Sequence, residues 1–307
     1  MQNSKLQEKI IKLKKERNAV ILVHNYQIGE VQDMADFLGD SLGLSIQASK
    51  TSAEIIVFCG VHFMAETAAI LCPDKKVLMP EVSAGCPMAD MITPEELKKV
   101  KAEHPKAKVV SYVNTTAAVK AESDICCTSA NSIKVVDSIK ETDEIIFTPD
   151  KYLGLYTATK VKNKKFVFWQ GYCPIHVKIL PKHIIKQKEE HPQAEVMVHP
   201  ECTPEVIALA DKVFSTSGMV KYAKESKATE LIVGTEIGIL YRLRKENPNK
   251  KFYPATELAV CSNMKKTNLD KILWSLEDLK TEITVPKQIA DRARSAIEKM
   301  MAIGRQD

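Results

Sequence analysis

Three cysteines recur at nearly constant spacing, and they are the residues of this sequence best suited to hold a metal. Cys86, Cys173 and Cys261 lie 87 and 88 residues apart in loop-like stretches, with glycine or proline close to the first two. Three converging thiolates can bind zinc with one open position, or a 4Fe-4S cluster in which one iron has no protein ligand. The spacing does not separate these two possibilities. Because the sequence holds no local Cys-x-x-Cys pair, it does not predict a zinc ribbon or a ferredoxin-type electron carrier.

Five further cysteines are predicted to be structural. The first seventeen residues form an amphipathic pattern of lysine and glutamate around leucine and isoleucine, which does not resemble a secretion signal. A reducing compartment is therefore expected for this protein. Free cysteines in such a compartment usually serve as small buried apolar residues. We expect this of Cys59, Cys72, Cys126, Cys127 and Cys202.

Polar side chains follow the first predicted strand in each of three similar stretches. They are His24 and Tyr26, Tyr112 and Asn114, and His199 and Glu201. Ligands of parallel α/β units bind beyond the carboxyl ends of the strands, so we expect these side chains to share a cavity. Hydroxyl residues are predicted to open the helices that follow, where backbone N–H groups attract anions: Ser41, Ser129, Thr216 and Ser217. The pattern predicts a central cavity with three anion sites.

The elements that position these residues form a threefold repeat. In each copy a second strand opens with a glutamate before aliphatic residues, and a pair of lysines precedes a third strand. Strands without clean alternation, separated by helical patterns, indicate parallel sheets covered on both faces. The predicted fold class is therefore α/β, with three homologous parallel α/β/α sandwich domains around a pseudo-threefold axis. Such an axis would bring the three cysteines to one point.

The repeats also predict the domain organisation. We expect an N-terminal helix at 1–17, repeats at 18–92, 93–180 and 181–266, the last two with a connector helix, and helices at 267–307. Within the first repeat, the pattern predicts a helix over 31–38 and a short crossing strand over 45–47. The sequence from Thr93 to Glu96 carries a threonine cap, a proline at the first helical position and a capping-box glutamate.

Composition excludes several classes of function. The chain has 307 residues and a formal net charge of +5, with basic residues scattered along helical faces, so no nucleic-acid partner is expected. Apolar stretches are far too short to span a membrane. These features predict a soluble, cytoplasmic protein and are compatible with small anionic substrates. They do not predict its oligomeric state.

The chain resembles the quinolinate synthase family over essentially its whole length, in the short form with three cluster cysteines. The resemblance depends on a series of local motifs: His24-Asn-Tyr26, Gly39-Asp-Ser41, Ala84-Gly-Cys86-Pro-Met-Ala-Asp90, Tyr112-Val-Asn114-Thr-Thr, Cys127-Thr-Ser129-Ala-Asn, Trp169-Gln-Gly-Tyr-Cys173-Pro-Ile-His176, His199-Pro-Glu201-Cys, Ser215-Thr-Ser-Gly-Met219 and Cys261-Ser-Asn-Met264. The family has three homologous α/β domains around a pseudo-threefold axis. Membership thus implies the same architecture that the repeat predicts.

The resemblance implies an activity and a cofactor. The expected reaction condenses iminoaspartate with dihydroxyacetone phosphate to quinolinate, releasing phosphate and two waters, in de novo NAD biosynthesis. The implied cofactor is one 4Fe-4S cluster, whose open iron acts as a Lewis acid without net electron transfer. A functional link to the enzyme that supplies iminoaspartate is also implied.

The resemblance assigns roles by motif position. Cys86, Cys173 and Cys261 are the implied cluster ligands. The implied substrate-binding residues are His24, Ser41, Asn114, Ser129, Thr216 and Ser217. The implied catalytic residues are Tyr26, Tyr112, His199 and Glu201. Some longer members carry a Cys-x-x-Cys near the third ligand, whereas Ser262, Asn263 and Met264 follow Cys261 here, so thiol–disulfide control there is not expected.

Two alternatives remain open on the sequence. One is another 4Fe-4S hydro-lyase that uses an open iron in the same way. The other is a metal or ligand sensor without catalysis, although the sequence lacks an evident partner-binding or DNA-binding element. His176, three residues after Cys173, is a candidate fourth ligand for a closed zinc site.

Overall fold

The structure, a computed structural model, describes residues 2–307, with side chains from Ser4 onward. Its strands form three separate sheets in chain order. The first contains β1 (Ala19–His24), β2 (Phe37–Gly39), β3 (Ile55–Cys59) and β4 (Lys76–Leu78); the second contains β5 (Lys108–Tyr112), β6 (Ile125–Cys127), β7 (Glu144–Thr148) and β8 (Lys165–Phe168); the third contains β9 (Glu195–Val198), β10 (Lys212–Val213), β11 (Glu230–Gly234) and β12 (Lys251–Pro254).

The three sheets have the same topology. Their strand orders are β2-β1-β3-β4, β6-β5-β7-β8 and β10-β9-β11-β12, and all neighbouring strands within them are parallel. Helices cover the sheets, as parallel strands require. The predicted fold of three repeated α/β/α domains is confirmed. The domain boundaries proposed from the sequence stay a prediction.

Helices connect and cover the strands of each repeat. They are α1 (Gln2–Glu16), α2 (Gly29–Gln32), α3 (Ser41–Lys50), α4 (His62–Leu71), α5 (Pro94–Glu103), α6 (Ala117–Ala121), α7 (Ser132–Ser138), α8 (Lys151–Lys160), α9 (Pro181–Glu190), α10 (Pro204–Ile207), α11 (Thr216–Glu225), α12 (Ile239–Glu246), α13 (Leu269–Asp278) and α14 (Lys287–Ile303). The capping box predicted at Thr93 is present, with Glu96 at its third position. No helix within residues 2–307 is both long and apolar enough to cross a membrane.

The sequence prediction missed one strand in each repeat. The helix predicted over 31–38 is wrong, because α2 ends at Gln32 and Phe37–Gly39 forms the edge strand β2. The crossing strand predicted over 45–47 is also wrong, since these residues lie within α3. The three missed edge strands are only two or three residues long, which is too short for a periodic pattern.

An aspartate secures each edge strand to the central strand of its sheet. One carboxylate oxygen accepts the backbone N–H near the start of the central strand at 2.8 Å in every repeat, through the pairs Asp36 and Ile21, Asp124 and Val109, and Asp211 and Val196. This charge-assisted bond fixes the loop that enters the edge strand.

The paired lysines of the sequence repeat have a structural function. The first lysine of each pair donates from Nζ to backbone carbonyls at or just beyond the ends of α3, α7 and α11: Lys75 to Thr51 and Ala53, Lys164 to Ile139 and Thr142, and Lys250 to Ala223 and Ser226. Carbonyls at a helix end lack partners within the helix, so a cation there stabilises it. The lysines thus fix the helices that begin near the carboxyl ends of the strands.

Helix α14 joins the first two repeats. It packs against α6, β6 and α4, and its residues Ala293, Ile297 and Met300 are buried in the same apolar cluster as strands of both sheets. The two sheets are therefore held in fixed relation by shared core packing.

Candidate active site

The carboxyl ends of the three sheets surround one cavity. Side chains from all three repeats line it, and every residue predicted for the site except Ser217 is among them: His24, Tyr26, Ser41, Cys86, Tyr112, Asn114, Ser129, Cys173, His199, Glu201, Thr216 and Cys261. Because parallel strands present their carboxyl ends at one edge, the repeat brings together residues far apart in the chain.

The hydroxyl residues differ in how they reach the cavity. Ser41 and Thr216 are the first residues of α3 and α11, as predicted. Ser129 lies in the turn before α7, which begins at Ser132, so the prediction that it opens a helix is wrong. Ser217 hydrogen-bonds to Asp40, the residue that caps α3.

The three cavity cysteines share a local geometry. Each sulfur accepts hydrogen bonds from the backbone N–H groups two and three residues later: Cys86 from Met88 and Ala89, Cys173 from Ile175 and His176, and Cys261 from Asn263 and Met264. The core residue Cys72 behaves in the opposite way, since its thiol donates to Ala48 O at 3.1 Å. Acceptance of N–H bonds suits a sulfur that binds metal as a thiolate.

Burial argues against a free reactive thiol in the cavity. It raises the pKa of Cys86 to about 12 and also raises the pKa of Cys173 and Cys261, although the backbone N–H groups partly oppose the shift. Without a metal these groups would carry protons at neutral pH and would be weak nucleophiles. A coordinated metal displaces the thiol proton, so this set of donors fits metal binding.

His24 and His199 occupy corresponding positions and form the same turn. The Nδ1 atom of each accepts the backbone N–H two residues later, from Tyr26 at 3.2 Å and from Glu201 at 3.3 Å. Burial lowers the pKa of His24 to about 4 and that of His199 to about 3, so both rings are neutral near pH 7. Since Nδ1 is an acceptor, Nε2 carries the hydrogen in both rings.

The polar groups at Ser129 and Asn114 remain available for a ligand. His199 Nε2 lies 3.2 Å from Ser129 Oγ and donates to it, so the serine hydrogen can be donated elsewhere. Asn114 Oδ1 is buried and has no hydrogen-bond partner among the residues that the structure describes. An unpaired buried acceptor is costly, and a ligand with a suitable donor would satisfy it.

Glu201 is the charged centre of the cavity. Its Oε2 lies 2.8 Å from His176 Nδ1, and its Oε1 accepts the Tyr112 hydroxyl hydrogen at 2.5 Å. Burial alone would raise the pKa of Glu201, but His176, His199 and the hydrogen bonds lower it below its usual range. Glu201 is therefore a carboxylate, and burial next to it raises the pKa of Tyr112.

A chain of hydrogen bonds connects Tyr26 to Glu201. The Tyr26 hydroxyl lies 2.6 Å from Thr235 Oγ1, which lies 2.8 Å from His176 Nε2, and the same imidazole reaches Glu201 through Nδ1. Burial raises the pKa of Tyr26, so the phenol stays protonated. The imidazole of His176 therefore links the Tyr26 phenol on one side to the Glu201 carboxylate on the other, through a continuous chain of hydrogen bonds.

Sequence reasoning missed part of this network. It treated His176 as a possible metal ligand, and the ligand atoms of Cys173, His176 and Glu201 do lie within 4.8 Å of one another. Thr235 directly follows β11, so the strand-end signal that found His199 was also present there. The prediction used that signal for the first strand of each repeat and not for the others.

The sequence is similar to known proteins along nearly its full length. The family model described as quinolinate synthetase A protein matches residues 8–302. The chain is 58% identical over 298 residues to a quinolinate synthase of Dehalococcoides mccartyi (strain CBDB1), covering 97% of this chain and 98% of that protein. It is 54% identical to quinolinate synthases of Methanosarcina barkeri (strain Fusaro / DSM 804) and Geotalea uraniireducens (strain Rf4), covering 99% of this chain and 99% and 100% of those proteins. The chain belongs to the quinolinate synthetase A family, as an enzyme of the quinolinate synthase type.

Proposed function

We propose that this protein condenses iminoaspartate with dihydroxyacetone phosphate to give quinolinate, phosphate and two waters. The observation that carries the proposal is the cavity itself, in which three N–H-accepting cysteines face polar strand ends and the unpaired Asn114. The reaction balances without an oxidant or a reductant. A site for it must bind carboxylates and a phosphate, hold an imine or amine nitrogen, and move protons.

Cys86, Cys173 and Cys261 would hold a 4Fe-4S cluster. The three sulfurs line one cavity and share one backbone geometry, which fits an all-thiolate donor set. His176 is a poor fourth ligand, because both ring nitrogens already have partners: Nδ1 lies 2.8 Å from Glu201 Oε2 and 3.1 Å from Cys173 Sγ, and Nε2 lies 2.8 Å from Thr235 Oγ1. When bound, the cluster would supply a Lewis-acidic iron that polarises a substrate oxygen.

The anions would be bound by uncharged donors. Ser41 and Thr216 stand at helix starts, where backbone N–H groups favour negative charge. Ser217, at the second position of α11, instead donates its hydroxyl hydrogen bond to Asp40. His24 presents Nε2–H to the cavity, and Ser129 presents the hydroxyl hydrogen that His199 leaves free. Asn114 would accept from the substrate nitrogen or a hydroxyl.

Proton transfer would use Glu201 and the two phenols. Glu201 is a buried carboxylate and can accept a proton from a substrate carbon or nitrogen. Tyr26 and Tyr112 hold their protons and can donate hydrogen bonds to oxygens that leave as water. His199 orients the substrate and fixes the turn at Glu201 through Nδ1.

With quinolinate as its product, the enzyme would act in de novo NAD biosynthesis, and we propose that it does so in the cytoplasm. Iminoaspartate hydrolyses readily, so we propose a functional link to the enzyme that produces it. Direct transfer between the two would limit loss of the imine.

The test is quinolinate formation by protein purified without oxygen. We expect iron and sulfide in equal amounts, about four per chain, with quinolinate formed from dihydroxyacetone phosphate and iminoaspartate generated from oxaloacetate and ammonia. Cys86→Ser, Cys173→Ser and Cys261→Ser should each abolish both iron binding and activity. Cys72→Ala is the matched control, because Cys72 is a thiol donor in the core, and it should retain iron. Full activity in a colourless zinc protein would contradict the proposal.

A further inference from the structure

A buried asparagine connects the third repeat to the first beside the cavity. Asn25 follows β1 and is fully buried. Its Oδ1 accepts a hydrogen bond from Arg242 Nη1 at 2.8 Å, and its Nδ2 donates to Thr216 Oγ1 at 2.9 Å. Arg242 lies on α12, and Thr216 is a buried residue that lines the cavity.

The chemistry of arginine fixes the direction of this chain. A guanidinium only donates hydrogen bonds, so the amide oxygen of Asn25 must face Arg242 and its amide nitrogen must face Thr216. Thr216 Oγ1 therefore accepts. The single hydroxyl hydrogen of Thr216 is then left to donate toward the cavity.

Arg242 is itself held in place. Its Nε donates to Glu246 Oε1 at 2.6 Å, and its Nη1 also donates to the Leu38 carbonyl at 2.8 Å. The backbone N–H of Asn25 donates to Gly39 O at 3.0 Å. Arg242 therefore cannot turn away from Asn25 without breaking further hydrogen bonds, and the backbone that carries Asn25 is fixed as well.

We propose that Arg242 and Asn25 are positioning residues that orient the Thr216 hydroxyl as a donor to a carboxylate or phosphate oxygen of the substrate. The proposal rests on the proposed function for the identity of the substrate. A hydroxyl that can rotate freely costs orientational entropy when it binds an anion, whereas one already turned does not. The N–H of His199 orients the Ser129 hydroxyl in the same way, because Ser129 Oγ accepts from it and keeps its hydrogen for a ligand. Two hydroxyls from different repeats are therefore both oriented as donors.

Asn25→Asp is the sharpest test. Aspartate keeps the size of the side chain and the contact with Arg242, now as an ion pair, but it presents an oxygen to Thr216. The threonine hydrogen would turn toward the introduced carboxylate, leaving a lone pair facing the substrate anion. We expect KM for one anionic substrate to rise about 10- to 100-fold, the effect of losing a hydrogen bond to a charged group, with a smaller change in kcat.

Thr216→Val supplies the control. It removes the hydroxyl, so Asn25→Asp should add no further rise in KM to a Thr216→Val protein. An equal rise in both backgrounds would mean that the new charge acts directly on the substrate, and it would overturn the proposal. Unchanged KM values for both substrates in the Asn25→Asp protein would also overturn it. Separate KM values for oxaloacetate with ammonia and for dihydroxyacetone phosphate identify which anion Thr216 binds.

Arg242→Met keeps the test decisive if Asn25→Asp does not fold. This variant removes the donor-only partner of Asn25 and lets the Asn25 amide turn over. We expect Arg242→Met to raise KM for the same substrate about threefold to tenfold in the wild-type background. In a Thr216→Val protein, Arg242→Met should leave KM unchanged. No rise would overturn the proposal.

Failure of the proposed function would be seen separately. If the wild-type protein makes no quinolinate, calorimetric titration of the holoprotein with inorganic phosphate and with malate still measures anion binding. If Asn25→Asp and Thr216→Val each weaken the binding of one probe, and the double variant binds it no more weakly than Thr216→Val alone, the positioning role of Asn25 is supported. Equal binding by wild type and Asn25→Asp would overturn it.

Discussion

The strand ends of the first and third repeats differ from that of the second. His24 and His199 form the same turn, in which Nδ1 accepts a backbone N–H and Nε2–H remains a donor. Tyr112 holds the corresponding place in the second repeat, and its hydroxyl donates to Glu201. Asn114, two residues later, corresponds to Tyr26 and Glu201, and its Oδ1 is an acceptor without a partner among the described residues. The first and third repeats therefore present an imidazole N–H at this place, whereas the second directs its donor to Glu201 and presents an unpaired acceptor two residues later.

The difference shows which parts of a repeat serve the fold and which serve the site. The aspartate at each edge strand and the lysine at each helix end make the same contacts in all three copies. The strand ends do not. A substrate pair with anionic oxygens on two sides and a nitrogen or hydroxyl donor on the third would match this asymmetry.

Asn114→Ala should produce the largest effect, since it removes the acceptor that makes the second repeat different. We expect kcat/KM to fall about 10²- to 10³-fold, as for the loss of a preorganised polar group at a reacting centre. The measurement is steady-state quinolinate formation, with iron content determined on the same samples. Asn114→Asp retains an acceptor oxygen and should lose less.

Loss of iron from Asn114→Ala would mean that this residue supports the cluster site. Activity within threefold of wild type, with full iron content, would mean that no substrate donor meets Asn114. Either result would contradict the functional interpretation of the asymmetry.

Substitutions of His199 test the donor side of the comparison. His199→Ala leaves Ser129 without its donor, and we expect kcat/KM to fall about 10²-fold. His199→Gln can place an N–H near the position of Nε2, so it should lose only about tenfold. If the two variants are equally impaired, the acceptor Nδ1 and the Glu201 turn are the important features.

Much of the fold and the cavity was predictable from the sequence because the repeat counts each signal three times. Cys86, Cys173 and Cys261 follow the last strand of their copies, β4, β8 and β12, and the polar strand ends follow the first. The edge strands were missed because Lys212–Val213 and its counterparts are too short for periodicity. The sequence therefore predicted the longer strands and the residues that follow them, but not the short edge strands.

Contacts between repeats were not predictable in the same way. The chain from Arg242 through Asn25 to Thr216 joins residues far apart in sequence, and so does the bond between Arg305 and Asp40. No local spacing encodes such pairs. They depend on how the three domains pack against one another, which no pattern within one repeat specifies.

Arg305→Met should reduce stability through the helix start of the first repeat. Arg305 Nη2 lies 2.8 Å from Asp40 Oδ2 and 3.0 Å from Ser215 Oγ, so it joins the caps of α3 and α11. Burial would raise the pKa of Asp40, but Arg305 and hydrogen bonds from Gly43 and Ser217 lower it. Breaking this partly exposed pair should lower the free energy of unfolding by about 1–3 kcal/mol at neutral pH.

The pH dependence of that loss provides the check. A carboxyl with a lowered pKa in the folded state contributes stability above its ordinary pKa and loses it as the pH falls through the folded value. In Arg305→Met, burial dominates and the pKa of Asp40 rises. The difference between the two proteins in thermal unfolding should be largest near neutral pH and shrink below about pH 4. A difference independent of pH would show that the contribution of Arg305 is packing.

Gln306→Ala should have the smallest effect and tests the helix start of the second repeat. Gln306 Oε1 accepts the backbone N–H groups of Ile133 and Lys134 at 3.1 and 3.2 Å, so the start of α7 is already satisfied by the protein. Removing the amide should cost about 1 kcal/mol in the free energy of unfolding, and Gln306→Glu should cost less because a negative charge is favourable there. Neither variant should change KM, since substrate anions would use Ser129 in the preceding turn. A rise in KM for Gln306→Ala would place the α7 start at the substrate and remove the distinction between the second repeat and the other two.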